Sequence, residues 1–173
     1  MKKSIWDNRV LGAAVLALAV LAGVLGIGGA KLNAAAQAAV TYYADNMSAD
    51  FTARESAAQS LLSIAESAGL DTADAAAALQ ASQQAQTPSG RYEAGLALAT
   101  QVGLLYNVLP ADTRDAAGSA AQMAWSEFTS RTAILNRAVP AYNQLARDAA
   151  EKASGFPASL IAAVCGIHTE EMV

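Results

Sequence analysis

Residues 113–155 read TRDAAGSAAQMAWSEFTSRTAILNRAVPAYNQLARDAAEKASG, and their periodicity decides the fold class. Ala117, Ala121, Ala124, Phe128, Leu135, Val139, Tyr142, Ala146, Ala149 and Ala153 recur in steps of three, four or seven. That spacing lines one face of a helix, close to a heptad. The segment is therefore expected to form one very long helix. Pro140 inside it removes a backbone hydrogen bond and should kink or split it. Gly155 and Pro157 mark its end.

Working outward, the rest of the chain has the same texture. Hydrophobic residues make up 54% but aromatics only 6%, so the bulk of the apolar count is alanine. Alanine is the best helix former and lets helices approach closely, which predicts an antiparallel left-handed bundle. No stretch alternates Val, Ile or Thr with polar residues over a strand length. Residues 31–68 have neither Pro nor Gly and show a stripe of Ala36, Val40, Tyr43, Met47, Phe51, Ala58, Leu61, Ala65 and Ala68. They predict a helix ending at Gly69. Asp71 is positioned to cap a helix over 72–86. Thr87-Pro88-Ser89-Gly90 predicts a turn. Residues 91–109 follow with Leu98, Val102, Leu105 and Leu109 on one side, then Pro110 as a breaker and Asp112 as the next cap.

Residues 10–30, VLGAAVLALAVLAGVLGIGGA, contain no charged or strongly polar side chain. As a helix the run is ~30 Å long, which matches a bilayer core. Lys2, Lys3 and Arg9 precede it against Asp7, and only Lys31 follows closely. The positive-inside rule places residues 1–9 in the cytoplasm and 31–173 outside. Trp6 stands where an interfacial aromatic belongs. The competing interpretation is a cleaved signal peptide with small residues at Gly28-Gly29-Ala30, although the run exceeds the usual h-region of ~7–15 residues. The expected architecture is all-α: residues 10–30 cross the membrane and continue into a bundle, 31–173, of about four helices plus a short carboxy-terminal one.

The net charge is −4, and no basic patch follows residue 31, which argues against nucleic acid as a partner. The ending, GFPASLIAAVCGIHTEEMV, holds the only cysteine, Cys165, and the only histidine, His168. Their C-x-x-H spacing is half a metal site, but a closed zinc site needs about four ligands, and only Glu170, Glu171 or a second copy remain to supply them. Cys165 lies in an apolar run and reads as a small buried hydrophobe. Ala158–Val164 is expected as a short helix opened by Pro157, with Leu160, Ile161 and Val164 packed inward and Phe156 anchoring the corner. The sequence assigns no catalytic, cofactor-binding or metal-ligating residue.

Arg54 and Arg131 fall on or beside the apolar stripes. Each either snorkels to water or forms a polar layer that sets helix register or meets a partner carboxylate. Tyr142-Asn143 is either a buried hydrogen-bonding pair or a recognition spot.

Arg137, Tyr142-Asn143, Phe156-Pro157, Leu160-Ile161-Ala162 and Gly166-Ile167 together resemble the carboxy-terminal signature of the LemA family of bacterial membrane-anchored helical proteins. The likeness is specific over residues 137–167 and loose elsewhere. Ala149-Ala150 stands where the family repeats Tyr-Asn. The resemblance implies a single-pass membrane protein with an extracytoplasmic bundle, acting as an adaptor or scaffold without catalysis. Its expected partners are the lipid bilayer, through residues 10–30, and another membrane or envelope protein. Two alternatives accompany this expectation: a soluble periplasmic bundle after signal removal, and an enzyme using Glu127, Arg131 and Tyr142.

Overall fold

The computed structural model describes residues 28–116 and 118–173 in full, and residues 9–27 as helical backbone only. The described residues form seven helices: α1 (Arg9–Asn46), α2 (Ser48–Ser67), α3 (Ala73–Gln84), α4 (Pro88–Val108), α5 (Ala111–Arg114), α6 (Ala120–Ala153) and α7 (Ala158–Cys165). The all-α class expected from the sequence is thus observed. Among the fully described residues no helix is long and apolar enough to cross a membrane. Residues 10–27 of the expected span lie outside them.

Helix α6 is the spine. Leu32 of α1 clusters near Ala153 at its end, Ala39 joins Tyr142 and Ala146, and Phe51 of α2 joins Leu135. Further along, Ala58 and Leu61 share a cluster with Phe128 and Ala121. Contacts that ascend α1 and α2 descend α6, so this pair of helices runs antiparallel to it. Helices α3 and α4 form a hairpin that closes on α2. The buried seam mixes alanines, among them Ala39, Ala58, Ala65, Ala121, Ala146 and Ala149, with larger side chains such as Met47, Phe51, Leu98, Phe128 and Leu135. Small side chains on facing helices permit this close approach.

Several boundaries differ from expectation. The helix over 31–68 is broken at Met47, whose φ of −131° is not helical. Backbone bonds from Met47 N to Tyr43 O and from Phe51 N to Met47 O, both 3.0 Å, still bridge the join. Next to it, Ser48 Oγ donates to Ala44 O at 2.8 Å and Asn46 Nδ2 to Tyr42 O at 3.1 Å. Such side-chain bonds to the preceding turn bend helices. The break turns Met47 fully inward and displaces the buried stripe: Ala39 is buried, whereas Val40 and Ala68 are exposed. Thr87-Pro88-Ser89-Gly90 is a helix start instead of a free turn, with Thr87 Oγ1 accepting from Gly90 N and Pro88 in the first turn. Thr72 is the cap residue of α3, while Asp71 Oδ1 accepts from Ala73 N one position earlier than a cap would stand.

The long helix begins at Ala120 and not near residue 113. Gly118, at φ +71°, ends the approach, and Ser119 Oγ accepts from Gln122 N. Pro140 neither splits α6 nor ends it. It lies on the exposed side, so the Asn136 carbonyl that it deprives of a donor faces solvent.

The ending departs most. Helix α7 forms where expected, and Gly166 in the left-handed region stops it. Only Ile161 and Ala162 of this helix are buried. Phe156 is 89% exposed, Leu160 53% and Val164 70%. Phe156 therefore does not anchor the corner, and Cys165 is exposed, not packed as a small hydrophobe. Ile161, Ala162 and the edge of Cys165 face α1, because a helix this short presents one narrow stripe to its neighbour. The tail after α7 runs back along α6 and buries Met172 in the cluster of Phe51 and Leu135.

This distribution predicts which part of the ending stabilises the fold. Met172→Ala should destabilise by ~2 kcal/mol or more, as buried Met truncations do. Phe156→Ser should stay within ~0.5 kcal/mol, as exposed substitutions do. Urea melts of the detergent-solubilised chain, followed by far-ultraviolet circular dichroism, compare the two.

Candidate functional site

A charged layer crosses the core where α1, α2, α3 and α4 meet. Glu55 of α2 is buried and lies beside α3 and α4. Its Oε1 accepts from Ser82 Oγ of α3 at 2.7 Å and from Arg91 Nε of α4 at 2.9 Å. Arg91 Nη2 donates to the second carboxylate oxygen, giving a bidentate pair. Arg91 also reaches Tyr43 Oη of α1 at 3.2 Å and Thr52 Oγ1 at 3.3 Å. One guanidinium thereby ties three helices. Hydrogen bonds to Glu55 raise the Arg91 pKa well above its ordinary range, outweighing the desolvation that opposes them.

Arg54, the preceding residue, has the opposite situation. It is 1% exposed, so it does not snorkel. Among the described residues its Nε and Nη2 meet no hydrogen-bond partner. The guanidinium lies 5.1 Å from the Phe51 ring centroid, and Arg91 lies 5.2 Å from the same ring. Cation–π attraction replaces part of the lost hydration. Burial lowers the Arg54 pKa, Glu55 opposes that shift, and Arg91 adds to it. Gly95 of α4 provides the space: a Cβ there would overlap Arg54 Nη2 and stand 2.9 Å from Cζ. The layer holds two guanidinium groups and one carboxylate.

The other residues singled out from the sequence lie elsewhere on the bundle. Arg131 is half-buried on α6 and pairs with Asp50 Oδ1 at 2.7 Å and Glu127 Oε1 at 2.6 Å. It joins α2 to α6, and both carboxylates hold its pKa above the ordinary value, Asp50 most. Tyr142 is buried edge-on to Tyr43, with ring centroids 6.5 Å apart. Desolvation raises its phenol pKa, and Glu170 and Tyr43 add to the rise. Asn143 does the hydrogen bonding of the pair. Its Nδ2 donates to Met172 O and its Oδ1 accepts from Met172 N, both at 2.8 Å. This two-way clasp imitates a strand pairing and holds the returning tail. Thr169 Oγ1 adds a bond to Ala146 O at 3.2 Å, and Ser89 Oγ donates to Glu170 at 2.6 Å.

Glu127 and Arg131 meet, but Tyr142 lies three turns further along α6, ~16 Å from Arg131 at 1.5 Å per residue. The three do not converge on one substrate. Cys165 and His168 are both exposed, and among the described residues no three His, Cys, Asp or Glu side chains gather as a metal site would require.

Sequence reasoning identifies Arg54 but misses Glu55, Arg91 and Gly95. A lone glycine inside the α4 pattern is the available signal, since such a residue commonly marks a close approach. No protein-family model, curated protein or solved structure matches this chain.

The paired and unpaired charges of the layer should respond differently to substitution. Glu55→Ala strands Arg91 and should destabilise by ~3–5 kcal/mol. Arg54→Met keeps the volume and removes a buried charge without a partner, and should stabilise by ~1–4 kcal/mol. Equilibrium urea unfolding of both variants tests the pair. A loss on Arg54→Met would show that its cation–π contacts outweigh its desolvation.

Proposed function

We propose that this chain is a membrane-anchored, non-catalytic interaction or scaffold module of the LemA type, with residues 10–30 crossing the bilayer and the bundle outside the cytoplasm. The observation that carries the proposal is the continuity of α1. One helix, Arg9–Asn46, joins the apolar run to the bundle without a linker. Its lower part is held by the bundle: Gly29 and Leu32 are buried, and α7 packs against them. A rigid helical connection suits a module that must present its surface at a set height above a membrane.

The same contact favours the anchor over a removed signal peptide. Cleavage after Ala30 would strip away Gly28 and Gly29. A Cβ on Gly28 would lie 2.9 Å from Ile161 Cδ1, and one on Gly29 3.4 Å from Cys165 Sγ. These glycines fit the α7 surface, as part of the folded bundle would.

The charged groups of the core support a scaffold role. Arg91, Glu55, Arg131 and Asp50 are engaged with each other between helices, where they set register. At the end of the bundle far from residue 30, Leu104 and Val108 stand exposed one turn apart on α4, and Met123 is exposed on α6. These are the side chains expected to meet a protein partner in the envelope. Of the residues that carry the LemA resemblance, Asn143 clasps the tail, Ile161 and Ala162 meet α1, Gly166 ends α7 and Ile167 packs beside them, while Phe156 and Leu160 are exposed.

Two measurements test the proposal. Intact-mass analysis of the mature protein should retain residues 1–30. Protease added to intact spheroplasts should digest the bundle along with a periplasmic control. A protected bundle would reverse the orientation, and a mature chain starting near Lys31 would leave the secreted alternative standing.

A further inference from the structure

We propose that α7 is a membrane-surface helix, whose exposed apolar side lies in the headgroup layer of the same bilayer that residues 10–30 cross. The inference rests on the anchor reading above and adds a second contact to it.

Three observations lead to it. The first is an apolar surface without cover. Leu160 and Val164 are one turn apart on the outer side of α7, and Phe156 stands just ahead of the helix, 89% exposed. None of the eight residues of α7 is charged. A soluble surface rarely leaves large apolar side chains side by side without a partner.

The second is height. Helix α7 packs on α1 at Gly28, Gly29 and Leu32. The apolar run ends at Ala30. Contacts at residues 28–32 therefore lie within ~3 Å of that end along the helix axis. The headgroup layer on each side of a bilayer core is ~5–7 Å thick. A helix ~10 Å across at that height cannot avoid it.

The third is charge. Ala153 at the end of α6 clusters with Leu32, so Lys152 and Lys31, each one residue away and both exposed, stand at this same end. Glu151 is the only acid among residues 28–35 and 149–165. Lysines flanking an apolar surface favour an anionic headgroup layer, in a chain whose net charge is −4.

A bilayer satisfies all three. It covers the apolar side of α7 at the height where α1 emerges, and it opposes anionic headgroups to the two lysines. With α1 it makes two contacts on one surface, which would fix the tilt of the bundle as well as its tether.

The sole cysteine makes the test direct. In the full chain, Cys165→Ala removes it. Single cysteines are then introduced as Val164→Cys on α7, Ala19→Cys in the apolar run and Ser63→Cys on exposed α2, each in a separate variant. Each is labelled with a nitroxide and reconstituted in phosphatidylethanolamine–phosphatidylglycerol vesicles. Circular dichroism confirms that each variant keeps its helicity. Collision with oxygen against a water-soluble nickel chelate then reports the surroundings of each label. We expect oxygen to dominate at residues 19 and 164 and nickel to dominate at 63. If residue 164 behaves like 63 while 19 remains in lipid, the anchor stands and α7 is not a membrane-surface helix. Nickel access at 19 would overturn the anchor and this inference with it. A label at 164 whose spectrum is broadened by a neighbouring label, and narrows on dilution with unlabelled protein, would show a second copy covering α7 and would overturn the bilayer as its occupant.

Discussion

The ion pair of buried Glu55 with partly buried Arg91 is the constraint around which the bundle is arranged. The many small alanines in the core offer little area per residue, so shape alone resists only weakly the sliding of one helix a turn along its neighbour. A bidentate ion pair does. Glu55 accepts from α3 and α4 at once, and Arg91 reaches on to α1. A slip of one turn would leave a carboxylate or a guanidinium desolvated without its partner, at several kcal/mol. The arrangement thus specifies register where shape alone would be nearly degenerate.

Arg54 follows from that layer. Its neighbour Glu55 bonds to α3 and α4, and the preceding side chain, Arg54, is carried into the core beside it. The helix opposite accommodates the guanidinium only because residue 95 is glycine. Phe51 between the two arginines supplies an aromatic face in place of water. The stability of this part is a balance between desolvation and cation–π attraction, whereas Arg91 in the same layer is held by hydrogen bonds to Glu55.

The carboxy terminus solves a different problem. Helix α6 leaves an apolar side that α1 and α2 do not fully cover near Tyr142 and Ala146. The tail returns along it, Met172 fills the remaining space, and Asn143 satisfies both polar groups of the Met172 backbone. Helix α7 serves as the reversal that makes the return possible, held to α1 by Ile161. Its own apolar side is left outward, which is the surface that the proposed membrane contact would cover.

Much of the architecture is legible in the residues alone. Local propensity and a three-to-four spacing suffice to place helices at 91–109 and 158–164 and the stripe from Phe128 to Ala149, because burial of a helical side follows directly from that spacing. Gly155 marks the end of α6 for an equally local reason, a positive φ. The break at Met47 and the true start of α6 at Ala120 are less legible, since competing side-chain bonds and caps of similar strength decide them. Arg54 is visible as an oddity on an apolar stripe, but its burial depends on Gly95, forty residues away, and the inward or outward choice at Phe156, Leu160 and Cys165 depends on which neighbour arrives. Periodicity assigns a residue to a side of its own helix. Only the tertiary structure decides whether another helix, a returning tail or nothing from the chain itself covers that side.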